Sequence, residues 1–390
     1  MTFNSNHMKN LWYFGLEPLK ERYTYQLSEE WIPETFRHEK VNFIQLRGNI
    51  ETGTIRVGSV LDAYGRGAYA MSQCQKFMSA ISAGLVKNGD VIYLQDFWTP
   101  GIESVFYMLD LYGIKVDVYS MLHAQSVDEY DFTHPMRKWM RGFELGIDAY
   151  HKGIFVGSSI HKAQLREAGF KAPIHVVSLP IHKELAVEVL AGHDDFVKEK
   201  QIIYTSRFDK EKNPYFMLEV AMHFLDRNRD FVWVITTSAD EFKSNVPGFV
   251  PYMISLAKRN PRLVLKPNLT KVEYYIEVQK SMVQFNSALQ DYVSWTLIES
   301  TMFDCDVCYP NFRSFPEILS DDRMYKAFDR YDAVDKLESI LMSPKSHQHI
   351  SDISDLGRRL EAYIMTNDIG NQEFNIWHET EYVSNLLSLC

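Results

Sequence analysis

The chain is poor in cysteine. Cys74, Cys305, Cys308 and Cys390 are all it has in 390 residues, too few for a disulfide framework and in keeping with a reducing compartment. Long apolar runs are missing as well. The longest, such as 231–235, are strand-sized, whereas a bilayer span needs about 20 residues. The opening MTFNSNHMKN lacks the apolar centre of a secretory signal, so a cytoplasmic location without stable membrane insertion is expected. Positive charge is not in surplus: the formal net charge is -10. A body of that sign gains nothing as a whole from counterion release on DNA, although a local basic face survives any net charge. There is no repeat and no low-complexity tract.

What is present is a globular balance, 46% hydrophobic and 24% charged, in a chain too long for one ordinary core and sufficient for two α/β domains. Aromatics reach 14%; such rings line pockets for bases and sugars, and they also fill cores.

Short apolar strands alternate with helical patterns, the signature of parallel α/β folds. The first half predicts strands at 10–14, 41–46, 91–95, 115–121, 152–156 and 175–178. Its helices fall at 28–36, from the end of a glycine-bearing stretch (48–67) to about 86, up to 112, and up to 168, where Gly169 is a natural stop. No basic amphipathic helix is expected there. A charged linker follows. The alternation then restarts, with strands at 201–205, 231–236, 262–266, 282–285 and 307–309 and helices at 214–227, 250–259 and 296–302. Beyond 329 the pattern is helical and polar, and a last helix over 374–387 is expected to pack back across the molecule. This divides the chain into residues 1–185, a linker at 186–200, a second domain at 201–370 and a closing helix within 371–390. Two such halves form a cleft, with ligands at the carboxyl ends of the strands facing it.

The strongest chemical signal is a pair of segments in the second half. In Ser206-Arg207-Phe208-Asp209-Lys210-Glu211-Lys212-Asn213-Pro214, Arg207 and Lys212 flank the start of a helix after a strand, a suitable place for a diphosphate. A basic pair alone is more often a solvated loop. In Asp291-Tyr292-Val293-Ser294-Trp295-Thr296-Leu297-Ile298-Glu299, two carboxylates flank a helix start. The amides of Ser294, Trp295 and Thr296 suit phosphate oxygens there, and the carboxylates suit sugar or ribose hydroxyls.

With these two segments in this order, the chain resembles the retaining glycosyltransferases of the GT-B fold, specifically the large family-4-like group. That family has a Gly-Arg…Lys loop after a strand and later two glutamates separated by seven residues. Further matches are Tyr119-Ser120-Met121-Leu122-His123, the strand and serine turn at Ala149 to Ser159, His175 to Pro180, and the turn at Phe315-Pro316-Glu317-Ile318-Leu319. Together they span about residues 115 to 320. Three departures stand out. Ser206 replaces a glycine, Asp291 replaces the first glutamate, and Leu16 to Thr24 stands where the family has a glycine-rich loop.

The resemblance implies an α/β fold of two facing Rossmann-like domains, acceptor side first and donor side second. It implies transfer of a sugar from a nucleotide-diphosphate sugar, a UDP-sugar, to an acceptor hydroxyl with retention. Arg207 and Lys212 would neutralise the diphosphate, Asp291 would hold the transferred sugar and His123 would touch it from the first domain. Glu299 would hold the ribose, with Asn268, Ser294, Trp295 and Thr296 completing the donor site. Arg22, Tyr23, Asp96 and Trp98 are acceptor-side candidates. His123 reads equally as a satisfied core histidine, and Asp96 and Trp98 as a turn aspartate and a core indole. Cys305 and Cys308 read as two packed thiols. Side-chain cations would replace any metal, so no cofactor is expected beyond the nucleotide sugar. The acceptor is a glycan or a hydroxymethylated pyrimidine in DNA, as in bacteriophage-type enzymes; Arg137, Lys138, Arg141, Lys162 and Arg166 lie where its anionic groups would fall. Competing readings are a GT-B module that binds nucleotide without catalysis, and a sugar phosphorylase or epimerase of the same fold.

Overall fold

Two parallel six-stranded sheets organise the chain. The computed structural model describes residues 9–20, 22–37, 41–51, 62–123, 126–177, 183–191 and 197–344. The first sheet runs β2-β1-β3-β4-β5-β6, made of β1 (Lys9–Phe14), β2 (Val41–Leu46), β3 (Val91–Leu94), β4 (Asp117–Met121), β5 (Gly153–Val156) and β6 (Ile174–Val176). The second runs β12-β11-β10-β7-β8-β9, made of β7 (Glu199–Tyr204), β8 (Val232–Thr236), β9 (Leu263–Lys266), β10 (Ser281–Phe285), β11 (Asp306–Asn311) and β12 (Met324–Lys326). All described pairings are parallel, with Leu11 beside Val91 and Val283 beside Ile202. Strands buried on both faces read as apolar runs rather than alternations, which is why VIYL of β3 and GIFV of β5 are buried throughout.

Helices connect the strands. The first half holds α1 (Tyr23–Tyr25), α2 (Ile32–Thr35), α3 (Ala63–Ser82), α4 (Ile102–Tyr112), α5 (Arg137–Asp148), α6 (Ser159–Glu167) and α7 (Lys183–Glu188). The second holds α8 (Pro214–Arg227), α9 (Phe249–Arg259), α10 (Lys271–Lys280), α11 (Trp295–Met302) and α12 (Arg330–Met342). α8 occupies the expected range, and α6 stops before Gly169, whose φ of +90° suits a residue without a Cβ. The helix expected over 28–36 is longer and divided: a π-helical stretch, Gln26–Trp31, joins α1 to α2. Pro33 sits in the first turn of α2, where its missing N–H costs nothing. α3 starts within the glycine-bearing stretch because the Asp62 side chain caps it by accepting from the Gly65 amide.

The expectation of no basic amphipathic helix in the first half is corrected by α5. Met140, Glu144 and Ile147 bury one face, while Arg137, Lys138 and Trp139 are exposed. α10 is likewise additional to the sequence reading; it carries a capping box between Thr270 and Glu273. The closing helix expected over 374–387 lies outside the described residues. Among those described, no helix is long and apolar enough to cross a membrane.

Each sheet has its own apolar core on one face. A third cluster joins the halves: Leu11, Tyr13, Leu27, Trp31 and Phe155 of the first pack with Val293 and Ile298 of the second, and Trp295 lies against them. The segment leading into α11 is thus buried in the other half of the molecule.

Candidate functional site

Parallel strands bring their carboxyl ends to one edge, and the loops leaving β7 and β10 meet there. After β7 the chain passes Ser206 and Arg207 into a short 3-10 turn, Lys210–Lys212. Asn213 then takes a left-handed φ of +48° before Pro214 opens α8. The Lys212 stem is buried. Its ammonium lies 3.0 Å from Asp291 Oδ2 and donates to the Gln290 carbonyl at 2.7 Å. Ser287 Oγ donates to the Lys212 carbonyl at 2.7 Å, so the two loops are tied at two levels. Arg207 is more open. One guanidinium nitrogen is 2.8 Å from Asp209 Oδ2, and another donates to Glu211 Oε1 at 3.1 Å. Burial raises the Glu211 pKa, against the pull of Arg207 and Lys212.

Ser294 caps α11, its hydroxyl accepting from the Leu297 amide at 3.4 Å and lying 2.9 Å from Thr296 Oγ1. The amides of Trp295 and Thr296 fall in the first turn, where a helix has no internal acceptor for them and carries partial positive charge. The Trp295 indole is occupied by aromatic partners: it stacks on Tyr23 (5.1 Å) and on Trp31 (5.7 Å). Tyr23, expected on the acceptor side, therefore faces the donor segment.

Glu299 is buried, at 3% exposure. Lys271 reaches its Oε1 at 2.6 Å, Tyr274 donates to Oε2 at 2.7 Å and Tyr275 to Oε1 at 3.3 Å. A buried carboxylate needs such partners, and Oε2 keeps a lone pair for one further hydroxyl. The three partners share a face of α10 at i, i+3 and i+4 spacing. Sequence reasoning missed them, although Thr270-x-x-Glu273 marks that helix. Asn268, past β9, adopts a left-handed φ of +58° and donates its amide to the Ala239 carbonyl at 2.9 Å.

In the first half, Arg66 is held between two carboxylates, 3.2 Å from Glu17 Oε2 and 3.2 Å from Asp96 Oδ2. Asp96 Oδ1 accepts the Trp98 amide at 3.1 Å. Glu17 and Arg66 are further residues the sequence reading did not single out. The Trp98 ring stacks on Phe143 at 5.1 Å and meets Trp139 edge-on, so it is a packing residue whose buried indole N–H has no hydrogen-bond partner among the described residues. His123 Nε2 lies 2.9 Å from the Gln95 carbonyl. A carbonyl only accepts, so neutral His123 carries its hydrogen on Nε2 and leaves Nδ1 as an acceptor. Burial lowers its pKa, partly offset by Asp96.

Asp128, a few residues past His123, is buried between the halves. Tyr292 donates to its Oδ2 at 2.5 Å and Arg313 pairs with it at 2.6 Å. The Tyr292 ring stacks on His161 at 3.7 Å. Glu317, in the Pro-Glu turn, accepts the amides of Ser159 and Ile160 at 2.7 and 2.9 Å, capping α6 from the other half. Cys305 and Cys308 are buried and free, as expected for packed thiols, and burial pushes Cys305 up to about 12.

No known family profile matches the chain, and no curated protein matches it. Solved structures do. A sucrose-phosphate synthase from Thermosynechococcus elongatus is 12% identical at a TM-score of 0.60, over 91% of this chain and 94% of that one. An α,α-trehalose 6-phosphate synthase from Burkholderia multivorans is 10% identical at 0.61, over 93% and 96%. The pneumococcal O-GlcNAc transferase GtfA, solved with UDP and GlcNAc, is 10% identical at 0.54; the match covers 76% of this chain and spans only 60% of that one. At such identities the likeness shows the fold, and the fold of this chain is the GT-B arrangement of glycosyltransferases.

Proposed function

We propose that the protein is a glycosyltransferase that moves a sugar from a UDP-sugar to an acceptor hydroxyl with retention. One observation carries this reading. Lys212, Asp291 and the first turn of α11 converge at the carboxyl edge of the second sheet, through the 3.0 Å ion pair that joins the two loops. Cations and helix amides suit the diphosphate, on which charge grows as the bond to the sugar breaks. The acceptor oxygen takes its place at the anomeric carbon, and the acceptor proton leaves with the nucleoside diphosphate. Asp291 would meet a hydroxyl of the transferred sugar and Glu299 the ribose. Asn268 would meet the base through its backbone. His123, Asp96 and the Arg66 cluster line the acceptor side. The acceptor is a glycan or a hydroxymethylated pyrimidine in DNA, reached past the exposed Arg137 and Lys138. The protein would work in the cytoplasm and without a metal, its cations serving instead. A screen of UDP-sugars against both acceptor classes, read by mass spectrometry, tests it. Absence of any glycosylated product and of any UDP release would overturn it.

A further inference from the structure

The donor loops carry less positive charge than their sequence suggests. Arg207 is met by Asp209 and Glu211, and Lys212 by Asp291: two cations against three carboxylates, a balance that the exposed Lys210 of the same loop only brings to zero. The first turn of α11 adds about half a charge. A diphosphate brings two or more negative charges into this setting, so the second half by itself has no surplus with which to hold it.

Arg22 supplies what is missing. It stands at the N-cap of α1, immediately before Tyr23, whose ring lies 5.1 Å from Trp295, the first residue of α11. The stack continues to Trp31 at 5.7 Å, so residues 22–31 are held against the start of that helix. Among the described residues, no carboxylate pairs with the Arg22 side chain, which is half-buried. The strongest charged influence on it is another cation, Arg207, which acts with burial to lower its pKa. An unpaired guanidinium, partly desolvated and under the influence of a second cation, is unfavourable unless an anion joins them.

We propose that Arg22 is a diphosphate-binding residue contributed by the first half, placed by the Tyr23–Trp295–Trp31 stack. This rests on the UDP-sugar reading and deepens it: a side-chain cation takes over where the resembled family has a glycine-rich loop, and the donor site is complete only with both halves together.

The test is titration calorimetry of the full chain with UDP and with uridine, alongside steady-state kinetics. In Arg22→Ala, affinity for UDP should fall about 10- to 100-fold while uridine binding stays as in the wild type, and Arg22→Lys should recover part of the loss. A merely structural role would weaken both ligands alike, and that result overturns the proposal. So does unchanged UDP affinity with a raised acceptor KM, which would make Arg22 an acceptor contact. Wild-type protein that binds no UDP overturns the donor reading itself, and this inference with it.

Discussion

Lys212 and Asp291 form one ion pair, 3.0 Å apart across two loops that the sequence separates by nearly 80 residues. On the proposed reading each meets a different part of the donor, phosphate and sugar, and the ion pair couples the two. Replacing Lys212 with Ala removes a charge-assisted contact and leaves Asp291 facing the diphosphate unneutralised. UDP binding should weaken by about 1.5–3 kcal/mol. Arg207→Ala should act in the same direction. Calorimetric affinities equal to wild type in both variants would exclude this as the phosphate site.

Glu299 and Asp291 should separate kinetically. Glu299 sits on a helix with its carboxylate fixed by Lys271, Tyr274 and Tyr275. Such a rigid group grips ground and transition states alike, and uniform binding affects KM rather than kcat. Asp291 lies in a loop and, on the proposed reading, nearer the sugar, whose charge changes during transfer. Glu299→Gln is therefore expected mainly to raise the donor KM, and Asp291→Asn mainly to lower kcat. Steady-state kinetics in which both variants alter KM alone would remove Asp291 from the sugar.

Gly157 packs against the donor segment from the opposite half. A Cβ there would stand 2.6 Å from Val293 Cγ2, closer than atoms tolerate. Gly157→Ala should cost about 1–3 kcal/mol of stability, seen as a lowered Tm. Adding Val293→Ala should return much of it, since the clash is with that side chain. A double variant no more stable than the single one would place the strain elsewhere.

Acid should destabilise the protein through its buried histidines. Burial lowers His161 to about 3 and His151 to about 4, from an ordinary 6.5. The unfolded chain then binds more protons than the folded one as pH drops below 6.5. Their contribution is complete above that value and is lost towards the folded pKa, at about 1.4 kcal/mol per pH unit for each group. His161→Phe keeps a ring on Tyr292 but has no proton to take up. Its Tm should fall less between pH 7 and pH 5 than that of the wild type. Parallel Tm profiles would show that His161 does not titrate with unfolding.

The alternation of apolar strands and helical patterns already carries the two sheets in the sequence, because strands buried on both faces betray themselves as short continuous runs. Arg207, Lys212, Asp291 and Glu299 were legible from spacing around predicted strand ends. Their partners were not. Lys271, Tyr274 and Tyr275 come from a helix of modest amphipathicity that reads as part of a polar stretch, and Glu17 and Arg66 are far apart in sequence. For Asp128, nothing local announces that Tyr292 and Arg313 will close over it. Pairing between halves depends on how the sheets face each other, which no local pattern encodes.

The wide turn at Gln26–Trp31 sets a rotational phase. An α-helix advances about 100° per residue, and a π stretch accommodates one residue more than regular winding would. Adding one further residue there would turn everything after it by roughly that angle, carrying Trp31 away from Trp295 while leaving Tyr23 in place. This segment should therefore accept exchanges of side chain at its exposed positions far more readily than a further insertion.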